Sequence, residues 1–478
     1  MVLNFYTWFQ LRLSRTESAM GLETAIRNIV LKDAVPEAFE ELSDEKEMKN
    51  GVVLWDILTF LHAAFNVKNL DASSVFTGDQ LGWWLQHTLS KQMSLEGCAA
   101  GVVCMDNGLL TPKEKQTEQR RRSRARDSDP YPKNARFADG GIYFGNAAAS
   151  TAIPFNMRRV MSTRGAVRTN LWNYLCDYLT RHWRQGSELL ILDRAGDNPY
   201  VYLDGKWGRE TGTAHAYGEA DLATTYWIER LWDKGYSSFY VLSTDSDMIC
   251  TTLAFMYHKA ITPSSPRIHL RYWRKKGRYL WMSMYHVWQY LEQSRHWTIP
   301  SFLMFCCMCG TDFTDPKQAR RPNTTEERAL YHGLPPQHAW DAWVEFELPR
   351  YCHHAMSKLS VFRRMVRAVY SYVLTRCDVA RGKWFVGSTQ RQRFLETLES
   401  MQTRNHVTRR PFTWVFLRRI CPRILNKVKL PTDSELKQIQ GELQFNINYW
   451  SPAPAAPVEP VTIDPKTIIA DPSVMAVV

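Results

Sequence analysis

A series of short apolar runs, several of them closed by an acid, limits what this chain can fold into. They are Gly51 to Asp56, Gly101 to Asp106, Glu188 to Asp193, Phe239 to Thr244 and Arg267 to Trp273. Runs of this length bounded by polar residues are expected of parallel strands buried on both faces. Segments with helical spacing separate them. From Leu171 to Trp183 the residues Leu171, Trp172, Leu175, Tyr178 and Leu179 share a face, and Ala220 to Trp232 behaves likewise. Strands alternating with helices over residues 20–315 predict an α/β fold, a central, mostly parallel sheet flanked by helices. In such sheets the ligand crevice lies beyond the carboxyl ends of the strands. Asp56 and Asp106 close two of the runs, and Asp245 and Asp247 follow a third. One strand-end Asp serves equally well as a helix cap. Several in the same topological position point instead to a shared cleft.

More acids extend the pattern. Tyr217-Gly218-Glu219-Ala220-Asp221 opens a helix, where Glu219 and Asp221 also complement the helix dipole. In Ser243-Thr244-Asp245-Ser246-Asp247 two carboxylates stand two residues apart, on one side of an extended chain. Asp312 follows an apolar, helix-like run. Hard cations such as Mg²⁺ take oxygen ligands of this kind and share substrate phosphate. Crowded carboxylates repel one another unless cations or protons neutralise them.

The formal net charge of +12 points to an anionic partner, nucleic acid before a membrane surface. Between Lys113 and Arg126 there are seven Lys or Arg and two Glu in a helix-like stretch. Such a run can be a solvated face, but Lys113 and Arg120 lie seven apart and share one side. There they can bind one phosphate group between them. Arg121, Arg122, Arg124 and Arg126 are expected on flanking phosphates. Tyr143, Phe144 and Trp172 are candidates for stacking on bases, against the commoner fate of an aromatic as core.

The ten Cys have no regular spacing, and Cys306-Cys307-Met308-Cys309 lies within an apolar run, so buried thiols are expected rather than zinc. No stretch reaches ~18 uninterrupted apolar residues, and no membrane span is expected. Residues 1–19 read as an extension ahead of Met20, a second candidate start. The α/β core is expected in two parts, 20–106 and 166–320. Between them, 107–165 carries the basic helix and a mobile insertion. A helical region, 321–450, and a flexible Pro-rich tail, 451–478, follow.

The order of these motifs resembles the flap-endonuclease/XPG group of structure-specific 5′ nucleases, which share a PIN-like core. Met20-Gly21-Leu22 resembles the family's amino terminus, and Gly51-Val-Val-Leu-Trp-Asp56 its first metal-binding strand. Val102-Val-Cys-Met-Asp106 matches the second strand, with Lys113 and Arg120 at the family's spacing behind it. Gly218-Glu-Ala-Asp221, Thr244-Asp-Ser-Asp247 and Gly310-Thr-Asp312 match the remaining acidic motifs. Each motif is weak singly; jointly, in order, they are specific. The resemblance implies two Mg²⁺ or Mn²⁺ ions. Asp56, Asp106 and Glu219 would chiefly hold the first and Asp245, Asp247 and Asp312 the second, with Asp221 between. It also implies phosphodiester hydrolysis in DNA replication, repair or recombination.

Two substrate readings stay open. Flap-type nucleases carry Gly-Ile-Gly and a basic residue after the last acid, whereas this chain reads Phe313-Thr-Asp-Pro-Lys-Gln-Ala-Arg-Arg-Pro322. Gly310-Thr-Asp-Phe313 and Gln116 are similar to features of the Xrn-type 5′–3′ exoribonucleases, which share the acids. DNA with 5′ ends or flaps is the leading substrate and RNA the alternative. An inactive nucleic-acid-binding scaffold is the reading from another class. Gln440-Gly-Glu-Leu443 lacks the paired aromatics of a sliding-clamp motif. The aromatic content and degenerate motifs suit a divergent member, with a viral origin among the candidates. Nuclear localisation is expected from the basic runs, cytoplasmic otherwise.

Overall fold

Val52, Val53, Leu54 and Trp55 are wholly buried, as a strand covered on both faces requires. In the computed structural model they belong to β1 (Val52–Asp56), which leads directly into α1 (Ile57–Ala64). The structure describes residues 39–40, 51–64, 75–96, 98–110 and 131–144. It further describes 152–243 save 163, 164, 185 and 187, and 247–309 save 263–264, 276–277 and 295–296. The segments 348–352, 358–376 and 431–450 complete it. The chain divides into two units, one holding Ser43–Thr111 and Ser128–Ser243, the other holding Thr244–Ser451.

In the first unit β1 is followed by α2 (Gly78–Glu96), β2 (Ala100–Cys104), the hairpin β3 (Arg136–Ala138) and β4 (Gly141–Tyr143), and α3 (Ala166–His182). Then come β5 (Leu189–Leu192), the hairpin β6 (Tyr200–Leu203) and β7 (Lys206–Arg209), α4 (Ala220–Asp233) and β8 (Ser238–Leu242). The strand order is β8-β1-β2-β5-β6-β7. The first four strands are parallel, with Asp56 level with Cys104 across β1 and β2. β6 and β7 close that side antiparallel. This is the α/β architecture with a parallel centre that the apolar runs predict.

From β1 the chain steps outward to β2 and β5, then returns through α4, which packs on β1 and β2, to β8 on the far side. The order therefore reverses at β1, the position at which open α/β sheets leave a crevice at their carboxyl edge. Close packing fixes the sheet. Trp55 lies across Gly101, where an added Cβ would come within 2.7 Å of the indole, and its Nε1–H donates to Gln92 Oε1 at 2.6 Å. Residues 131–144, inside the stretch expected to be a mobile insertion, hold an ordered β3–β4 hairpin with Phe137 and Ile142 buried.

The second unit contains α5 (Asp247–His258), β9 (Arg267–Lys275), β10 (Arg278–Ser283), α6 (Met284–Gln289) and α7 (Ile299–Cys309). It continues with α8 (Leu348–Cys352), α9 (Leu359–Arg376) and α10 (Asp433–Trp450). Arg267 to Trp273, expected as one more parallel strand, pairs antiparallel with β10, with a bulge between Arg271 and Trp273. α5, α7 and α10 pack on one another around Phe302, Phe305, Leu443 and Trp450. Cys306 and Cys307 are buried thiols in α7. A capping box starts α10: Glu435 N–H donates to Thr432 Oγ1, and Thr432 N–H to Glu435 Oε2. No described helix is long and apolar enough to cross a membrane.

Candidate functional site

The acids of the first unit can be placed one by one. Asp56 closes β1 and caps α1. Its Oδ1 accepts from the Leu58 and Thr59 amides at 3.1 and 3.2 Å, and its Oδ2 from the Thr59 hydroxyl. The capping role that any strand-end Asp can play is thus realised here, on a half-buried side chain.

Asp106, two residues beyond β2, does something less local. Its Oδ1 accepts from Ala220 N–H at 2.9 Å, satisfying the first amide of α4 across 114 residues of sequence. A parallel contact joins the same two loops, Asn107 N–H donating to Gly218 C=O at 2.8 Å. Glu219, the N-cap residue of α4, is extended (φ −113°, ψ 136°) and makes no capping bond with its own carboxylate. That carboxylate is buried, 2% exposed. Asp221 lies in the first turn of α4, half-buried. Asp106, Glu219 and Asp221 are therefore brought to one helix start. Asp56 ends the strand beside β2.

Asp247 belongs to the second unit. It is the first residue of α5, 8% exposed, with its C=O accepting from Thr251 Oγ1 at 3.0 Å. The extended geometry expected for the Asp245–Asp247 pair does not hold at Asp247, because helix α5 begins there, where an acid favours the dipole. Asp245, Asp312, Lys113, Arg120, Arg121, Arg122, Arg124 and Arg126 lie outside the described residues. Trp172 corrects one expectation. It is 4% exposed and its indole N–H donates to Asp193 C=O at 2.6 Å, so it is core and has no free face for a base. Phe144 is 39% exposed and lies 6.1 Å from Tyr131, centroid to centroid.

Among the described residues no group of three His, Cys, Asp or Glu side chains is disposed to hold a metal ion. The donors that are described at the α4 start are carboxylate oxygens, the chemistry a hard divalent cation takes. They fit such an ion by type, although Asp56, Asp106, Glu219 and Asp221 all lie among the described residues and no three of them are disposed around one point.

Sequence reasoning passed over Asp193. It stands just beyond β5, as Asp106 stands beyond β2, and is 2% exposed. His215 Nε2 lies 2.8 Å and Trp227 Nε1 3.0 Å from its Oδ1. The signal was the same strand-end position. Its partner, 22 residues further on, leaves no mark in the sequence. Between these acids lies Cys104, whose thiol is driven well above its usual pKa. Burial is the main cause and the charges of Asp193 and Asp56 add to it, against a hydrogen bond with Thr224.

No family model matches the chain, and no curated protein matches it. Among solved structures, the chain is similar to the catalytic core of Rad2 in complex with DNA substrate, at 11% identity. The match covers 84% of this chain and 94% of that one, with a TM-score of 0.32. An overlap so loose assigns no role to any residue.

Proposed function

We propose that this protein is a metal-dependent 5′ nuclease of PIN-like architecture, acting on DNA with 5′ ends or flaps. The observation that carries the reading is the hydrogen bond from Ala220 N–H to Asp106 Oδ1, which gathers Asp106, Glu219 and Asp221 at one helix start. That point lies at the carboxyl edge of a parallel sheet, next to the strand ended by Asp56. Asp56, Asp106 and Glu219 would hold one Mg²⁺ or Mn²⁺ there. Asp245, Asp247 and Asp312 remain assigned to a second ion by the sequence resemblance alone, with Asp221 between. Bound divalent ions would supply Lewis-acid stabilisation of the phosphate and a water activated for attack.

The chain's own residues do the rest. Asp106 holds the start of α4 by its main chain, so that the carboxylate and the helix move together. Lys113 and Arg120 would bind the scissile phosphate and offset its developing charge. Arg121, Arg122, Arg124 and Arg126 would bind flanking phosphates in a salt-dependent way.

Full-length protein assayed on 5′-labelled flap, nicked and single-stranded DNA, with 5′-phosphorylated RNA alongside, tests the reading. Mg²⁺-stimulated cleavage of DNA at the 5′ side, lost in Asp106→Ala and Asp245→Ala, is expected. Cleavage of RNA in preference to every DNA would move the substrate to the Xrn-like alternative, and no cleavage of any substrate would leave a binding scaffold.

A further inference from the structure

Of the buried polar groups that this chemistry leaves unused, the most closely tied surrounds Asp193. Its N–H donates to Val103 C=O of β2 at 2.9 Å, and its C=O accepts from the Trp172 indole of α3. Its Oδ1 is shared by His215 and by the Trp227 indole of α4. Among the described residues its Oδ2 accepts no hydrogen bond. One residue thus links β2, α3, α4 and the loop ahead of α4.

His215 completes the link. Tyr217 N–H donates to its Nδ1 at 3.2 Å, so Nδ1 is the bare nitrogen and Nε2 carries the proton given to Asp193. Its C=O accepts from Gly196 N–H at 2.6 Å. Its ring lies 5.1 Å from Tyr217 and 4.7 Å from Tyr226. The His215 and Asp193 side chains are each 2% exposed. Three residues after His215, Gly218 C=O receives Asn107 N–H, and Glu219 follows.

We propose that the Asp193–His215 pair is the positioning device of the candidate site, fixing residues 213–218 so that Glu219 is delivered beside Asp106. The proposal rests on the nuclease reading. Asp193 is not counted as a further ligand, because its Oδ1 is taken by the His215 and Trp227 side chains. Orientation of a ligand by a hydrogen-bonded partner behind it changes metal affinity or activity by about 10–100-fold when removed.

Three substitutions in the full chain separate the bonds. His215→Asn keeps an acceptor for Tyr217 N–H and loses the donor to Asp193. His215→Gln reaches Asp193 and loses that acceptor. Asp193→Asn keeps Oδ1 as an acceptor for both donors. Hydrogen exchange without metal is expected to quicken about tenfold or more at residues 216–220 in His215→Asn, the scale of losing one buried hydrogen bond to a charged group. Exchange at 52–56 stays unchanged, and Asp193→Asn behaves as wild type. With Mg²⁺, His215→Asn should lower kcat about tenfold or more with KM little changed and should raise the Mg²⁺ needed for half-maximal rate. If His215→Asn unfolds as a whole, with fast exchange at 52–56 as well, His215→Gln carries the same test. Wild-type exchange at 216–220 in both His215 variants would overturn the proposal. So would an Asp193→Asn variant as impaired as Asp193→Ala, which would make the charge the requirement. A wild-type protein that cleaves nothing would sink the nuclease reading, and the exchange result would still judge the positioning role.

Discussion

Asp106 and Asp193 follow neighbouring parallel strands, yet their surroundings differ. Asp106 is half-buried and spends one oxygen on a main-chain amide at the start of α4. Asp193 is 2% exposed and gives one oxygen to two side-chain donors, inside a wall of indoles. Position after a strand is therefore common to both, and burial with the type of partner separates them. Burial alone does not decide the role, since Glu219 is as buried as Asp193; what sets Asp193 apart is that its Oδ1 is already taken by two side-chain donors.

Substitution should expose that difference first. Asp106→Ala is expected to cut metal-dependent kcat at least about a hundredfold, the scale of removing one well-placed electrostatic group. Its free energy of unfolding should fall only slightly, by about 1 kcal/mol for one helix-start bond. Asp193→Ala should weigh the other way, with the larger loss of stability and a smaller loss of kcat, about tenfold. It leaves His215 and Trp227 donors buried without their acceptor, and each such orphan costs about 1–3 kcal/mol. Chemical denaturation would show the loss, and an Asp193→Ala protein as stable as wild type would break the comparison.

A second buried histidine sharpens it. His269 in β9 is pushed down to about 4, by burial first and then by Arg267 and His286. Its folded pKa lies below the unfolded value of about 6.5, so the stability it contributes is present above pH ~6.5 and is lost as pH falls toward ~4. Denaturant melts across that window should show the decline, and His269→Gln should flatten it.

Smaller effects follow. Asp56→Ala removes the α1 cap and should cost about 1 kcal/mol in stability, beyond any loss of activity. Arg181→Ala breaks an ion pair to Asp139 whose side chains are 45% and 47% exposed. That change should alter stability by under about 1 kcal/mol, and less still in high salt.

Much of the sheet was legible because burial on both faces leaves unbroken apolar runs, as in Val52–Trp55 and Val102–Cys104. The hairpin of β6 and β7 was also written in the sequence. Leu203-Asp204-Gly205-Lys206 is an Asp-Gly turn, with φ of 50° and 81° at Asp204 and Gly205. What the sequence hid was pairing at a distance. The acids could be read as strand ends and helix starts, but neither the Asp106–Ala220 bond nor the Asp193–His215 pair has a local signature.

Counting bound Mn²⁺ by electron paramagnetic resonance, in wild type and in Asp106→Asn and Glu219→Gln, tests the central claim most directly. Wild type is expected to take up two ions, with affinity weakened about tenfold or more in either variant. A wild-type chain that binds no Mn²⁺, or variants that bind it as tightly as wild type, would contradict the account.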